Sequence, residues 1–500
     1  MSAAELRIVD ERPTPGTPRP YDFPAVARTR LANGLTVASV DLPGRPLVSA
    51  TLILANGAVD EPDDDAGATV LAARAITEGT QGYDAIALVE AAERLGAGLH
   101  AEAGWDATSI GVDVPSARLE PALELLAEVA LRPTFPDDEI DRIRDERLND
   151  LLQAEADPRR RAEEAFASTI YSSGSPYRRP AGGLKPTVER LDASRLRAAY
   201  ERGLDPARAT LIVGGQLDGL DVAAIAERLF GAWGASARAT HSGSIVATGA
   251  VRDRFVKVVH RPGSVQTEIR IGHVGLPRQI ADFHALSVMG AILGGLFNSR
   301  LNTKLREEKG YTYGAGAGFD LRRGAGPFAA RAAVNTEVTV PAIADTLAEL
   351  DRIRTEPVTD AELKIAKDYL IGVFPLRFET PGPVVGALAG LAIHGLPDDE
   401  LIRYRPGIEA VTTEAVLAAA QHIRTQQSAI VLVGDADAFQ SELEAAGFGP
   451  ILVERDRGPQ DEGRATHVQD DLVAVDQGPA GPTEGGEEPE TADGGTATDG

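Results

Sequence analysis

The chain contains no cysteine among its 500 residues. Disulfides, thiolate zinc sites and cysteine nucleophiles are therefore excluded. It also lacks an excess of positive charge: the formal net charge is −25. Nucleic-acid binders need a basic footprint, and so do proteins that dock on anionic membranes, so neither partner is expected. No apolar run reaches the roughly 18 residues that a membrane-spanning helix needs. The opening MSAAELRIVDERPTPGTPRP carries acidic residues and no apolar stretch, unlike a secretory leader. The cytoplasm is the expected compartment. Histidine is sparse, and none of the eight lies three or four residues from another, so no helix face offers a histidine pair to zinc. The G-x-S-x-G elbow of serine hydrolases is missing as well.

What the chain does contain is written twice. LVSATLILANG (47–57) and VQTEIRIGHVG (265–275) alternate apolar and polar residues, 218 positions apart. FPDDEIDRIRDERL (135–148) and PVTDAELKIAKDYL (357–370) open charged amphipathic helices, 222 apart. RATLIVGG (208–215) and SAIVLVGD (428–435) are buried-type strands ending in glycine or Gly-Asp, 220 apart. Three landmarks in one order at nearly one period imply two tandem domains of the same architecture. We expect an arm over 1–24, a first domain over 25–235, a linker over 236–250 with Ser/Gly loop chemistry, and a second domain over 251–450. Strand pairs followed by helix pairs predict α+β sandwiches, each an antiparallel-rich sheet with helices on one face, rather than a doubly wound parallel sheet. Thr359 and Glu362 have capping-box spacing at the start of a helix.

Residues 451–500 form the remainder. Between Asp456 and Gly500 twelve acidic residues face two arginines, a net charge of −10, leaving −15 on the body. A segment this rich in Gly, Pro, Thr and Glu buries too little apolar surface to offset its ordering entropy, so a disordered acidic tail is predicted.

The segment LREEKGYTYGAGAGF (305–319) combines Arg306, then Tyr313 seven residues on, then alternating glycines. GAGAG superficially matches a dinucleotide loop, but no helix pattern opens after it. Gly314 and Gly316 are better read as positions where another backbone, such as an extended peptide, approaches a strand closely. Arg306 by itself reads equally as a solvated helix-end charge pairing with Glu307 or Glu308. Tyr311 and Tyr313 share a face if the segment is already a strand.

Residues 272–319, together with RLANGLTVASVDLPGRPLVSATLILANGAVDEPDDDAG (30–67) and FPDDEIDRIRDERLNDLLQAEADP (135–158), resemble the pitrilysin/insulinase-type zinc peptidases, which include mitochondrial processing peptidase. The resemblance runs over about residues 25–450. It implies a peptidase-like clamshell half of the LuxS/metallopeptidase fold. It also implies an H-x-x-E-H zinc motif in the first half, at positions that here hold Val70, Ala73 and Arg74, with a third ligand's place taken by Asn149. All the required groups are missing, so no metal is expected on this chain and Asp150 alone does not supply one. The family's arginine and tyrosine, which bind substrate carbonyl oxygens and stabilise the oxyanion, correspond to Arg306 and Tyr313. The family's glycine-rich loop is represented only by Gly294-Gly295. The resemblance thus implies a non-catalytic subunit that binds peptide and supplies Arg306 and Tyr313 to a homologous zinc-bearing partner, around an acid-lined cavity. The competing expectation is a structural or peptide-binding scaffold of the same fold with no role in cleavage.

Overall fold

The computed structural model describes residues 16, 20–239, 245 and 247–455. Of the tail expected over 451–500, Ile451–Arg455 instead form an edge strand of the second sheet; its remainder, most of the N-terminal arm and part of the linker lie outside the described residues. Two six-stranded sheets organise the rest. The first contains β1 (Ala27–Arg30), β2 (Thr36–Asp41), β3 (Leu47–Leu54), β4 (Gly98–Ala103), β5 (Thr108–Pro115) and β6 (Ala209–Gly215), in the order β1-β2-β6-β3-β5-β4. The second contains β7 (Phe255–His260), β8 (Gln266–Val274), β9 (Ala315–Phe319), β10 (Pro327–Asn335), β11 (Ala429–Gly434) and β12 (Ile451–Arg455), in the order β12-β7-β11-β8-β10-β9. The repeated sequence landmarks fall on matching places: β3 and β8, β6 and β11. The pairs β2/β6 and β7/β11 are parallel, whereas β3 is antiparallel to both neighbours and so is β8. The edge next to the parallel pair breaks the repeat. The first sheet takes it from the strand before β2, the second from the last described strand of the chain.

Each sheet buries one face under the helices of its own half. Val48, Ala50, Leu52, Ile110 and Leu211 pack with Leu71, Leu88, Leu123 and Leu126; in the second half Ile269, Ile271, Phe328 and Leu432 pack with Leu286, Ile343 and Leu350. The other face is partly covered by a helix that crosses over from the opposite half. Helix Pro381–His394 sets Val384, Val385 and Leu388 on Ala38, Val40, Ile53 and Ile212 of the first sheet. Helix Pro158–Ile170 sets Ala162, Ala165 and Phe166 on Val259, Val431 and Val433 of the second. This exchange explains why β6 and β11 are continuous apolar runs: a strand covered on both faces has no polar side. Each large apolar side chain so buried contributes about 1.5–3 kcal/mol, so pulling the halves apart is strongly unfavourable. The described residues up to Glu454 accordingly form one compact unit.

A polar junction also ties the halves. Tyr177 Oη donates to Asp106 Oδ1 at 2.9 Å, the Arg323 N–H donates to Asp106 Oδ2 at 2.9 Å, and the Gly324 N–H donates to Tyr177 Oη at 3.0 Å. No described helix is long and apolar enough to cross a membrane.

Candidate functional site

Two regions carry the residues singled out in the sequence, one in each half. In the first, helix Ala68–Ala75 is positioned by the loop before it. Glu61, whose side chain is fully buried, accepts the Gly67 N–H at 3.0 Å and the Thr69 N–H at 2.6 Å and pairs with Arg179 at 3.2 Å. A carboxylate at a helix N-terminus satisfies otherwise orphaned donors. Gly67 has φ +97, and a Cβ there would stand 2.7 Å from the Gly182 carbonyl, so this turn admits only glycine. The start of this helix is thus held in place from both sides.

The chemistry of the implied metal site is missing. Val70 is half-buried and Ala73 is buried, and both are hydrocarbon. Arg74 is exposed and pairs with Glu146 of the facing helix Asp137–Ala156 at 2.6 Å. The bonds from Arg74 and then Arg142 hold the Glu146 carboxyl below its usual range. Asn149 is exposed, and Asp150 is held by Arg147 and Arg160. Asp150 is therefore depressed in pKa, chiefly by its bond to Arg160. The four implied ligand positions thus offer one guanidinium, two alkyl groups and an amide. The residues present do not fit zinc.

One group among the described residues does bring three potential ligand atoms within 4.8 Å of one another, from His260, Asp435 and Asp437. Its polar atoms already serve the fold. His260 Nδ1 accepts the Ala436 N–H at 3.1 Å, and Asp435 accepts from the Gly263 and Asp437 N–H groups at the start of helix Ala436–Ala446.

In the second region, helix Phe283–Gly290 runs on into a π-helical turn, Ala291–Gly295. A Cβ on Gly294 would stand 2.1 Å from the Ala317 N of β9. The backbone that comes close to the glycine-patterned strand is therefore the chain's own, and the glycine making the approach is Gly294. A second π-helical segment, Asn302–Glu308, carries Arg306. Asn302 Oδ1 accepts the Ala315 N–H at 2.9 Å and ties this segment to the strand.

The helical segment ends at Gly310, whose φ of +64 is the left-handed conformation usual just past a helix. The chain then reverses, and Tyr311 donates its N–H to Leu305 O at 2.8 Å and packs on the second core. Thr312 Oγ1 accepts the Gly314 N–H at 3.1 Å, and Tyr313 projects into solvent, 95% exposed. The expectation that Tyr311 and Tyr313 share a face fails because the strand begins only at Ala315. Gly310 is the signal that separates the two tyrosines.

Arg306 and Tyr313 line one open cleft of about 480 Å³, with Gly314 and Gly316 in its wall. The Arg306 guanidinium lies over the exposed ring of Phe297, 4.2 Å from its centroid, and reaches Glu307 at 3.4 Å. Gly316 and Gly318 face away from the core that Ala315 and Ala317 enter. No atom lies within 4 Å of where a Gly318 side chain would be. Sequence reading missed Phe297 and Asn302, and three arginines that other elements bring to the cleft: Arg159, Arg270 and Arg331. The available signal was an arginine interrupting each apolar strand, in EIRIGHV and FAARAAV.

Comparison with known proteins bears on this arrangement. Residues 36–180 match the family model described as insulinase (peptidase family M16), and residues 190–370 match that of the peptidase M16 inactive domain. An uncharacterized zinc protease of Mycobacterium bovis is 25% identical over 413 residues, covering 82% of this chain and 93% of the relative. One of Streptomyces coelicolor is 24% identical, covering 82% and 89%. The crystal structure of a peptidase M16 inactive domain from Pseudomonas fluorescens superposes with a TM-score of 0.75 at 26% identity, over 82% of this chain and 98% of that one. A protease from Helicobacter pylori has the same fold, with a TM-score of 0.76 at 19% identity over 82% and 100%. With both halves matched in order, and the same fold in the solved structures, the chain belongs to the insulinase (M16) peptidase family.

Proposed function

We propose that this chain is the non-catalytic subunit of a two-chain zinc peptidase. It binds an extended peptide beside β9 and presents Arg306 and Tyr313 to the carbonyl group cleaved on a homologous, zinc-bearing partner. The observation that carries the reading is an asymmetry. The second-half pair is accessible in one cleft. The first-half positions hold Val70, Ala73, Arg74 and Asn149, with Arg74 tied to Glu146. A guanidinium and a phenol are both donors, suited to negative charge developing on a carbonyl oxygen. The contact of Arg306 with Glu307 is a surface ion pair worth at most about 1 kcal/mol, so a substrate oxygen displaces it at little cost. A pure scaffold has no use for a fully exposed tyrosine next to that arginine. Bond cleavage itself is assigned to the partner.

The test mixes the purified chain with a zinc-bearing relative and follows hydrolysis of a fluorogenic peptide. The double substitution Arg306→Ala, Tyr313→Phe is expected to lower the rate by at least ~10²-fold, the usual loss for an oxyanion donor. An unchanged rate overturns the proposal in favour of the scaffold reading.

A further inference from the structure

The cleft around Arg306 and Tyr313 is cationic in a chain of net charge −25. Arg159, Arg270, Arg306 and Arg331 line it, and the carboxylate in its wall is Glu268. The register of the second sheet places Arg331 of β10 directly opposite Arg270 of β8 on one side and Gly316 of β9 on the other. Like charges directly opposed across strands are destabilising unless something neutralises them. Arg270 is neutralised: it is only 2% exposed, its Nε donates to Glu163 at 3.0 Å, and its Nη1 donates to Glu268 at 2.9 Å. Arg331 is exposed and makes no salt bridge among the described residues. Its Nε hangs over the bare backbone of Gly316, 3.7 Å from where a side chain there would begin. Four guanidiniums against Glu268, Glu163 and Glu307 leave one positive charge in excess. Arg331, and Arg159 near Asp157, border the same open space as Arg306.

A second cavity of about 400 Å³ shares Arg331 and continues along the glycine face past Gly318. Its wall combines the rings of Trp105, Phe166, Tyr177 and Phe319 with the carboxyl side chains of Glu163, Glu164 and Asp320. Arg322 lies against both rings of an edge-to-face pair there, 5.0 Å from the Trp105 ring and 4.8 Å from the Tyr177 ring.

We propose that this chain selects peptides bearing a carboxylate, seated on Arg331 and Arg159 over Gly316, beside an aromatic side chain that enters the cavity past Gly318. The inference rests on the reading that peptide lies along β9, and it inverts the expectation of an acid-lined site for basic peptides. The carboxylate comes from an acidic side chain or from the peptide's C-terminus.

Fluorescence anisotropy with the full chain alone separates these sources without any cleavage. The probes are labelled 12-residue peptides with Glu and Phe two residues apart, ~6.6 Å in an extended chain and equal to the Gly316–Gly318 offset. Counterparts carry Gln or Lys in place of Glu, each as free acid and as C-terminal amide. The Glu peptide is expected to bind at least tenfold more tightly than its Gln counterpart. Arg331→Ala is expected to remove that difference, and Arg331→Lys to restore part of it. The preference should shrink as salt screens the charges. A preference that follows the free C-terminus instead supports the same site with the other source of carboxylate. Equal binding of Glu and Gln peptides, a preference that survives Arg331→Ala, or tighter binding of a single-stranded oligonucleotide overturns the inference. These outcomes are independent of the cleavage assay, so a cleavage role that requires Arg306 and Tyr313 stands even where the acidic preference fails.

Discussion

Arg74 and Glu146 face each other at 2.6 Å across helices Ala68–Ala75 and Asp137–Ala156, at the place where the family resemblance would set a metal. The pairing converts a would-be ligand pocket into an ordinary surface ion pair. Elemental analysis of the purified chain after dialysis against zinc is therefore expected to find no stoichiometric metal. Chelator is expected to leave its thermal midpoint unchanged. One equivalent of zinc that resists dialysis, and that Arg74→Ala releases, would contradict this.

Asp106 joins the halves by accepting from the Tyr177 hydroxyl and the Arg323 N–H, and it is 8% exposed. Asp106→Ala leaves one buried and one half-buried donor unmet, for an expected loss of about 3 kcal/mol in urea unfolding. Asp106→Asn, which keeps one carbonyl acceptor, is expected to lose less. A loss below about 1 kcal/mol for the alanine variant would show that the junction is not what links the halves.

Gly294 and Gly318 should respond oppositely to the same change. A methyl group on Gly294 meets the Ala317 N at 2.1 Å, whereas nothing lies within 4 Å at Gly318. Gly294→Ala is expected to cost about 1–3 kcal/mol by overpacking. Gly318→Ala should fall within about 0.5 kcal/mol of the parent, like other substitutions that meet no neighbour. Equal effects at the two positions would refute the close helix–strand approach.

Glu362 gives the acid limb of stability a specific source. Burial alone would raise its carboxyl, but bonds from Arg300 at 2.7 and 3.1 Å and from Thr359 outweigh burial and hold it at about 2. Its folded value lies below the unfolded value near ~4.3, so its contribution is complete above that pH and disappears as pH falls through about 2. The urea midpoint of the parent should exceed that of Glu362→Gln at pH 7, and the gap should narrow steadily between pH 5 and 2. A gap that stays constant over that range removes Glu362 as the source.

The Thr359–Glu362 capping box was legible because both partners lie within one helical turn, and the structure contains it. That Glu362 also grips Arg300 was not, since the two are 62 residues apart. Tyr311 and Tyr313 show the same division on a smaller scale. Alternation placed them together, and the helix stop at Gly310 parted them.

From the sequence alone came the repeat, the α+β class and the Arg306/Tyr313 spacing, while the family resemblance implied the ligand positions at 70, 73, 74 and 149. Each of these is written in local periodicity, or in which chemical group stands at a given position. The tertiary structure alone decided that each half lends a helix to the other's sheet. It also brought Arg331, Arg270 and Arg159 into one cleft. Strand register and helix exchange are set by which apolar faces find each other across hundreds of residues, and no local pattern encodes that choice.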